Sequence, residues 1–289
     1  MRYLYYPGCS QKSSSISYDR SFLAVCQVLG IELQELLDWN CCGATIAISV
    51  NRMVSLFLAA RNLGLANQAR LPLVTPCPSC YVAMKRVQKL CQENKLISER
   101  ISHLLAEEEL SVSGSLEVCH SLDFLVRVAG LEAIGNKVRN PLSGIKIAPY
   151  YGCQLSGPHA NGNTDGEPGG LESLIEVLGA EPVEFPFRTQ CCGGSLMFTS
   201  DKQAKKLSSI ILESVHNTDA GLIVTPCGLC QLNLQIATKN SPSWNSRPAG
   251  VPVLNIGQLM GLAFDLGKGK IFLKKNRIMA SRKIITEIN

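Results

Sequence analysis

Aromatic residues make up only 6% of this 289-residue chain and charged residues only 18%, with no basic run interleaved with aromatics. Such a chain offers nucleic acid neither an electrostatic track nor a stacking platform, and a formal net charge of +5 is too mild to supply one. Long apolar runs are missing as well. The longest uncharged stretches are broken by prolines and amides, as at Pro252, Asn255 and Gln258, so none reads as a membrane span. No glycine-rich dinucleotide loop follows a strand-like segment, and no phosphate-loop motif occurs. A run of cysteines at two-residue gaps closed by Cys-Pro, the mark of a cubane ferredoxin cluster, is absent too. The chain opens directly on strand-like Arg2–Tyr6 with no room for a targeting segment, and the expectation is a soluble, cytoplasmic protein.

What the chain does have is cysteine, thirteen in all. Ten of them fall into two sets of five. The first is Cys9, Cys41-Cys42, Cys77 and Cys80; the second is Cys153, Cys191-Cys192, Cys227 and Cys230. The last four cysteines of the two sets are offset by 150 residues throughout, and both adjacent pairs are followed by glycine. Flanking residues repeat as well: Leu73-Val74-Thr75-Pro76 precedes Cys77, and Ile223-Val224-Thr225-Pro226 precedes Cys227. The chain is therefore an internal duplication.

Five thiols per copy is one more than a tetrahedral zinc takes. Disulfide pairing also leaves one thiol over, and it does not suit a reducing compartment. Side chains of adjacent cysteines diverge, so they reach different atoms of a polynuclear centre more readily than a single ion. Thiolate-rich iron–sulfur clusters meet that need. A zinc-binding structural scaffold is the alternative.

The doubled Cys, Cys-Cys-Gly, Cys-x-x-Cys pattern resembles the B-type subunit of heterodisulfide reductase and its relatives, over about residues 1–265. The resemblance implies two noncubane [4Fe-4S] clusters. Cys9, Cys41, Cys42, Cys77 and Cys80 would hold one, and Cys153, Cys191, Cys192, Cys227 and Cys230 the other. It implies a disulfide oxidoreductase, in which a small or protein-bound disulfide is split or formed between the clusters. Electrons would come from a C-type cubane iron–sulfur subunit and an A-type flavin subunit. Other relatives accompany succinate dehydrogenases, fumarate reductases or sulfur-oxidising complexes, which makes a quinone or lipoate-type substrate the second reading.

Both halves alternate strand and helix with the cysteines in strand-to-helix loops. That is the pattern of an α/β fold with two pseudo-repeated Rossmann-like domains and parallel sheets. The division expected is 1–140, 145–267 and a basic tail 268–289. The tail reads as a docking or disordered segment, with membrane contact as the sharper alternative. A long helical pattern runs from Ala44 to about Gln68, and another helix is expected over Ser121–Ala129. Cys26 lies on the apolar face of the first helix and reads as core; Cys91 has no counterpart in the other copy. His120 ends a strand where the second copy has Asn255, so it is a packed strand end or a proton donor beside the pocket. Asn161–Gly166 with Glu172 matches a calcium-loop spacing only loosely, and a covering loop is the better reading.

Overall fold

The computed structural model describes residues 1–156, 169–197, 199–240 and 251–273. The loose calcium match at 161–166 and residues 274–289 of the tail lie outside the described residues. Two four-stranded parallel sheets form, one from each half. The first runs β2-β1-β3-β4, from β1 (Arg2–Tyr5), β2 (Glu32–Glu35), β3 (Leu73–Thr75) and β4 (Val118–His120). The second repeats that order as β6-β5-β7-β8, from β5 (Lys146–Pro149), β6 (Glu181–Pro182), β7 (Leu222–Thr225) and β8 (Val253–Asn255). Leu-Val-Thr and Leu-Ile-Val-Thr are buried along their whole length, as central strands covered on both faces must be. β2 is largely exposed and polar, which suits an edge.

In the first half α1 (Gly8–Gln11) and α2 (Ile16–Val28) link β1 to β2, and α3 (Ile46–Val50) and α4 (Arg52–Ala69) link β2 to β3. Then α5 (Pro78–Glu93) and α6 (Lys95–Ala106) lead to β4, after which α7 (Ser121–Asp123) passes through a π-helical stretch, Phe124–Gly130, into α8 (Leu131–Gly135). The second half carries α9 (Leu171–Val177), α10 (Asp201–His216), α11 (Gly228–Asn240) and α12 (Ile256–Ala263).

Two helical expectations need correction. The helix from Ala44 is not continuous. Asn51 takes an extended backbone (φ −153°), and its side-chain oxygen accepts from the amides of Met53 (2.9 Å) and Val54 (3.3 Å). It is the N-cap of α4, and a helix cannot run through its own cap. The helix expected over Ser121–Ala129 is mostly π-helical and continues to Gly135.

Three cores form. A shared one joins Tyr5, Phe22 and Val25 to Ile147, Leu222, Leu259 and Phe264. Within it α12 lies on α2 so closely that a Cβ on Gly257 would sit 2.7 Å from the Phe22 amide nitrogen. The helix that follows β4 makes the reciprocal contact near α9, where Val126 lies 3.2 Å from a Cβ on Gly170. At about 1.5–3 kcal/mol per large apolar side chain, this seam is expensive to open. Of the other two cores, one lies in the second half and the other in the first half with Leu155 added from the second; each includes its half's deeper cysteines: Cys42 and Cys80 with Leu56 and Met84, Cys192 and Cys230 with Ile211 and Ile223. The described start of the tail docks: Ile271 is fully buried, and its carbonyl accepts from Gln258 Nε2 at 3.1 Å.

Candidate metal centre

All ten repeated cysteines emerge at or beyond the C-terminal ends of strands, where open parallel sheets place their sites. Cys9 sits in α1 after β1, Cys41-Cys42 in the loop after β2, and Cys77 at the N-cap of α5 with Cys80 in its first turn. Cys153, Cys191-Cys192, Cys227 and Cys230 follow β5, β6 and β7 in the same way. None of the thirteen cysteines is in a disulfide.

The loops are tied by the same bonds twice. The buried Tyr6 donates from its hydroxyl to the Asn40 carbonyl at 2.7 Å, and Tyr150 donates to the Gln190 carbonyl at 2.6 Å. Each bond fixes the first cysteine loop to the cysteine pair. The neighbouring tyrosines bond differently in the two halves: Tyr5 donates to Asp19 (2.7 Å), and Tyr151 donates to Glu172. Thr75 and Thr225 accept from the amides of Cys77 (3.4 Å) and Cys227 (3.3 Å). The glycine before each first cysteine makes room for a sulfur: a Cβ on Gly8 would lie 2.9 Å from Cys80 Sγ, and one on Gly152 3.1 Å from Cys230 Sγ.

Within the nests Cys9 Sγ and Cys41 Sγ are 3.9 Å apart, and Cys192 Sγ and Cys230 Sγ 3.5 Å. Backbone amides point at the sulfurs: Gly193 N–H to Cys191 (3.4 Å), Gly194 N–H to Cys192 (3.3 Å) and Cys230 N–H to Cys227 (3.4 Å). Such donors favour thiolate. Crowding divides the protons unequally. The hydrogen bond with Cys80 lowers Cys77 to about 7, and the bonds to Cys42 and Cys77 hold Cys80 well above the usual thiol range. The bond with Cys153 lowers Cys191 to about 6 and raises Cys153 in turn. Five thiolates in one nest repel one another unless positive charge lies among them.

That donor set fits a polynuclear cationic core better than one ion. Among the described residues no group of three or more His, Cys, Asp or Glu is gathered as a single ion's shell. Each nest has an open rim and a closed floor. Cys9, Cys41 and Cys153 are exposed, Cys77 and Cys191 half-buried, and Cys42, Cys80, Cys192, Cys227 and Cys230 buried.

A buried polar layer joins the nests. Tyr18 donates to the carbonyl of Pro226 (3.2 Å), beside Cys227, and shares a hydrogen bond with Ser121 (2.8 Å). His120 is fully buried and registers with Thr75 as Asn255 registers with Thr225, as the sequence comparison of the halves suggested. Its Nδ1 accepts from the Leu122 amide at 3.2 Å. Burial lowers its pKa to about 3, although the carbonyls of Pro76 and Pro226 act the other way; Nε2 has no partner in hydrogen-bonding geometry. At neutral pH the ring is uncharged.

Sequence reasoning missed Gln11 and Ser15. Both are buried with unpartnered side-chain polar atoms, and they crowd Gly228, where a Cβ would lie 2.6 Å from Ser15 Oγ. They sit in a polar stretch that reads as loop, so no local pattern marked them. Cys26 is buried in the shared core, while Cys91 and Cys119 are half-buried.

A family described as "Cysteine-rich domain" (CCG) matches residues 3–85 and again 147–235. The "8-methylmenaquinol:fumarate reductase membrane anchor subunit" of Wolinella succinogenes is 33% identical over 97% of this chain and 98% of its own. A protein of Archaeoglobus profundus described as like the heterodisulfide reductase B-subunit is 28% identical over 94% and 93% respectively. The B-subunit of the ferredoxin/F(420)H(2)-dependent CoB-CoM heterodisulfide reductase of Methanosarcina acetivorans is 25% identical over 94% and 92%. A crystal structure of a hypothetical protein from Helicobacter pylori superposes with a TM-score of 0.74 at 12% identity; it covers 94% of this chain but only 51% of that one, and supports the fold alone.

Proposed function

The chain belongs to the CCG cysteine-rich domain family, with one copy of the domain in each half, and from that premise we propose that it is the disulfide-handling iron–sulfur subunit of a heterodisulfide-reductase-like complex. Cys9, Cys41, Cys42, Cys77 and Cys80 hold one noncubane [4Fe-4S] cluster, and Cys153, Cys191, Cys192, Cys227 and Cys230 the other. The observation that carries this reading is the close approach of thiols from separate loops in each repeat, Cys9 Sγ to Cys41 Sγ at 3.9 Å and Cys192 Sγ to Cys230 Sγ at 3.5 Å, with backbone amides aimed at the sulfurs of the second repeat.

When bound, the two clusters supply the two electrons that cleavage of one S–S bond consumes, with two protons taken up to give two thiols. The chain's own residues do the rest. Tyr6 and Tyr150 hold the cysteine loops in register. The Tyr18–Ser121–Pro226 bonds fix the second Cys-x-x-Cys loop against the first half. The buried floor keeps water from Cys42, Cys80, Cys192 and Cys230. Exposed Cys9, Cys41 and Cys153 mark where electrons from a C-type cubane iron–sulfur partner, fed by an A-type flavin subunit, would enter.

A second reading rests on the relative named as a fumarate reductase membrane anchor: the same protein would take electrons from a quinol. Among the described residues no helix is long and apolar enough to cross a membrane, so membrane contact through them would be peripheral. Anaerobic purification followed by iron and sulfide analysis tests the shared premise. About eight of each per chain supports two clusters, whereas two zincs without sulfide refute them. Disulfide reduction by reduced viologen, set against quinol oxidation, separates the two readings.

A further inference from the structure

The two halves reach into each other at matching places. Two residues after Cys153, the first cysteine of its set, Leu155 leaves the second half and joins the first-half core that includes Cys42 and Cys80. Two residues after Cys9, Gln11 makes the return crossing: its Nε2 lies 3.5 Å from where a Cβ on Gly228 would be. Gly228 stands between Cys227 and Cys230 of the second nest, where the first copy has Pro78. A side chain at 228 would strike Ser15, whose Oγ lies 2.6 Å from that Cβ position. The second Cys-x-x-Cys loop therefore leaves room for the first half to come close.

The two crossing residues differ in chemistry. Leu155 needs nothing but packing. Gln11 is fully buried, and neither its Nε2 nor its Oε1 has a hydrogen-bond partner among the described residues. Burying an amide unpaired is costly, so an amide kept there at no exposure calls for an acceptor that the protein side chains alone do not supply. The rest of α1 serves the first nest: Cys9 is one of its thiols, and the Ser10 hydroxyl hydrogen-bonds Cys77. Only its last residue is turned to the second. Cys227 and Cys230 flank Gly228 in the chain, and thiolate or sulfide sulfur in that nest accepts from N–H donors, as it already does from the amides of Gly194 and Cys230.

We propose that Gln11 is a positioning residue of the second iron–sulfur centre, supplied across the seam by the first half: its side-chain amide donates to a sulfur of the second nest and raises the reduction potential of that centre. The proposal rests on the two-cluster reading above and deepens it. Donors to cluster sulfur favour the more negative, reduced state. The first nest receives a leucine at the mirror position, so two centres with the same set of thiols are tuned apart.

The test is a redox titration of the anaerobically purified full chain followed by electron paramagnetic resonance, with iron and sulfide counted on the same samples. The signal missing from Cys192→Ser identifies the second centre. Gln11→Leu, which installs the residue of the other repeat, should shift the reduction equilibrium of that centre about tenfold toward the oxidised form. That is a drop of about 59 mV for one electron, with iron retained and the first centre unmoved. Gln11→Met, closer to glutamine in shape, should do the same. Leu155→Met, a packing change at the mirror position, should move neither centre. An unchanged second potential, an equal shift of both centres, or the same shift from Leu155→Met would overturn the proposal. So would loss of the second centre's iron from both Gln11 variants, the mark of a residue that only packs. Wild type without iron and sulfide would sink the cluster reading and this proposal together, whereas full iron with an unmoved potential sinks the proposal alone.

Discussion

Gly193→Ala and Gly43→Ala form a pair whose ranking the structure fixes in advance. Both glycines close a cysteine pair with positive φ, +80° at Gly193 and +72° at Gly43, so alanine at either carries left-handed strain of about 1–2 kcal/mol. A stiffer unfolded chain returns about 0.4–1 kcal/mol in both cases. The difference lies in what the new methyl meets. At Gly193 it would sit 2.8 Å from Ala204 Cα in the backbone of α10, but at Gly43 3.1 Å from Ser55 Cα in α4. Helix backbone cannot swing aside, so overpacking of about 1–3 kcal/mol is added, nearer the upper end at 193. The expected net losses are about 2 kcal/mol for Gly43→Ala and about 3–4 kcal/mol for Gly193→Ala. At about 2–4 °C per kcal/mol these are resolvable in Tm. Because α10 holds its ground, the displaced element is Cys191-Cys192, and the second nest should lose iron before the first does. Thermal unfolding of anaerobically purified protein, with iron counted per chain, reads both effects. If Gly43→Ala proves as damaging as Gly193→Ala, or if either leaves Tm within a degree of wild type, the packing argument is wrong.

Cys42→Ser or Cys192→Ser should each remove about half of the iron and sulfide; loss of all iron from a single variant would show that the nests are not independent. Cys26→Ala should keep full iron and lose only about 1–2 kcal/mol of stability from the small cavity it leaves, and Cys91→Ala should keep full iron too; depletion in either would mean that the ligand assignment is wrong. His120 gives a pH signature. Its folded pKa, about 3, lies below the ordinary 6.5, so the unfolded chain binds the extra proton. Stability present above pH 6.5 is therefore lost as pH falls toward 3, amounting to about 1 kcal/mol between pH 7 and 5.5. In urea titrations across that interval His120→Asn, which installs the residue of the other repeat, should flatten the slope by that amount; an unchanged slope would place the titrating group elsewhere.

Much of this was legible in the chain because the duplication writes each element twice. The 150-residue offset of the cysteines and the matching Thr-Pro-Cys segments place the loops, and Val74 and Val224 end up in central strands as buried β-runs should. What escaped had specific causes. β2, Glu-Leu-Gln-Glu, is an exposed edge strand that carries almost no apolar signal. Asn51 interrupts a helical pattern because its side chain found two amides to cap, a choice that periodicity does not register. The shared core was invisible because contacts between Phe22 and α12 span more than 230 residues and neither helix advertises its partner.

The reciprocal seam, α12 on α2 and the stretch after β4 near α9, is the geometry of a two-fold dimer interface written within one polypeptide. Two identical protomers meeting on such an axis are obliged to offer the same residue twice. Linked in one chain they are released from that symmetry, and the faces have already parted company: His120 stands opposite Asn255, and Pro78 opposite Gly228. A bond laid across such an axis meets unlike neighbours at its two ends, so an unsymmetrical molecule has one preferred way to lie.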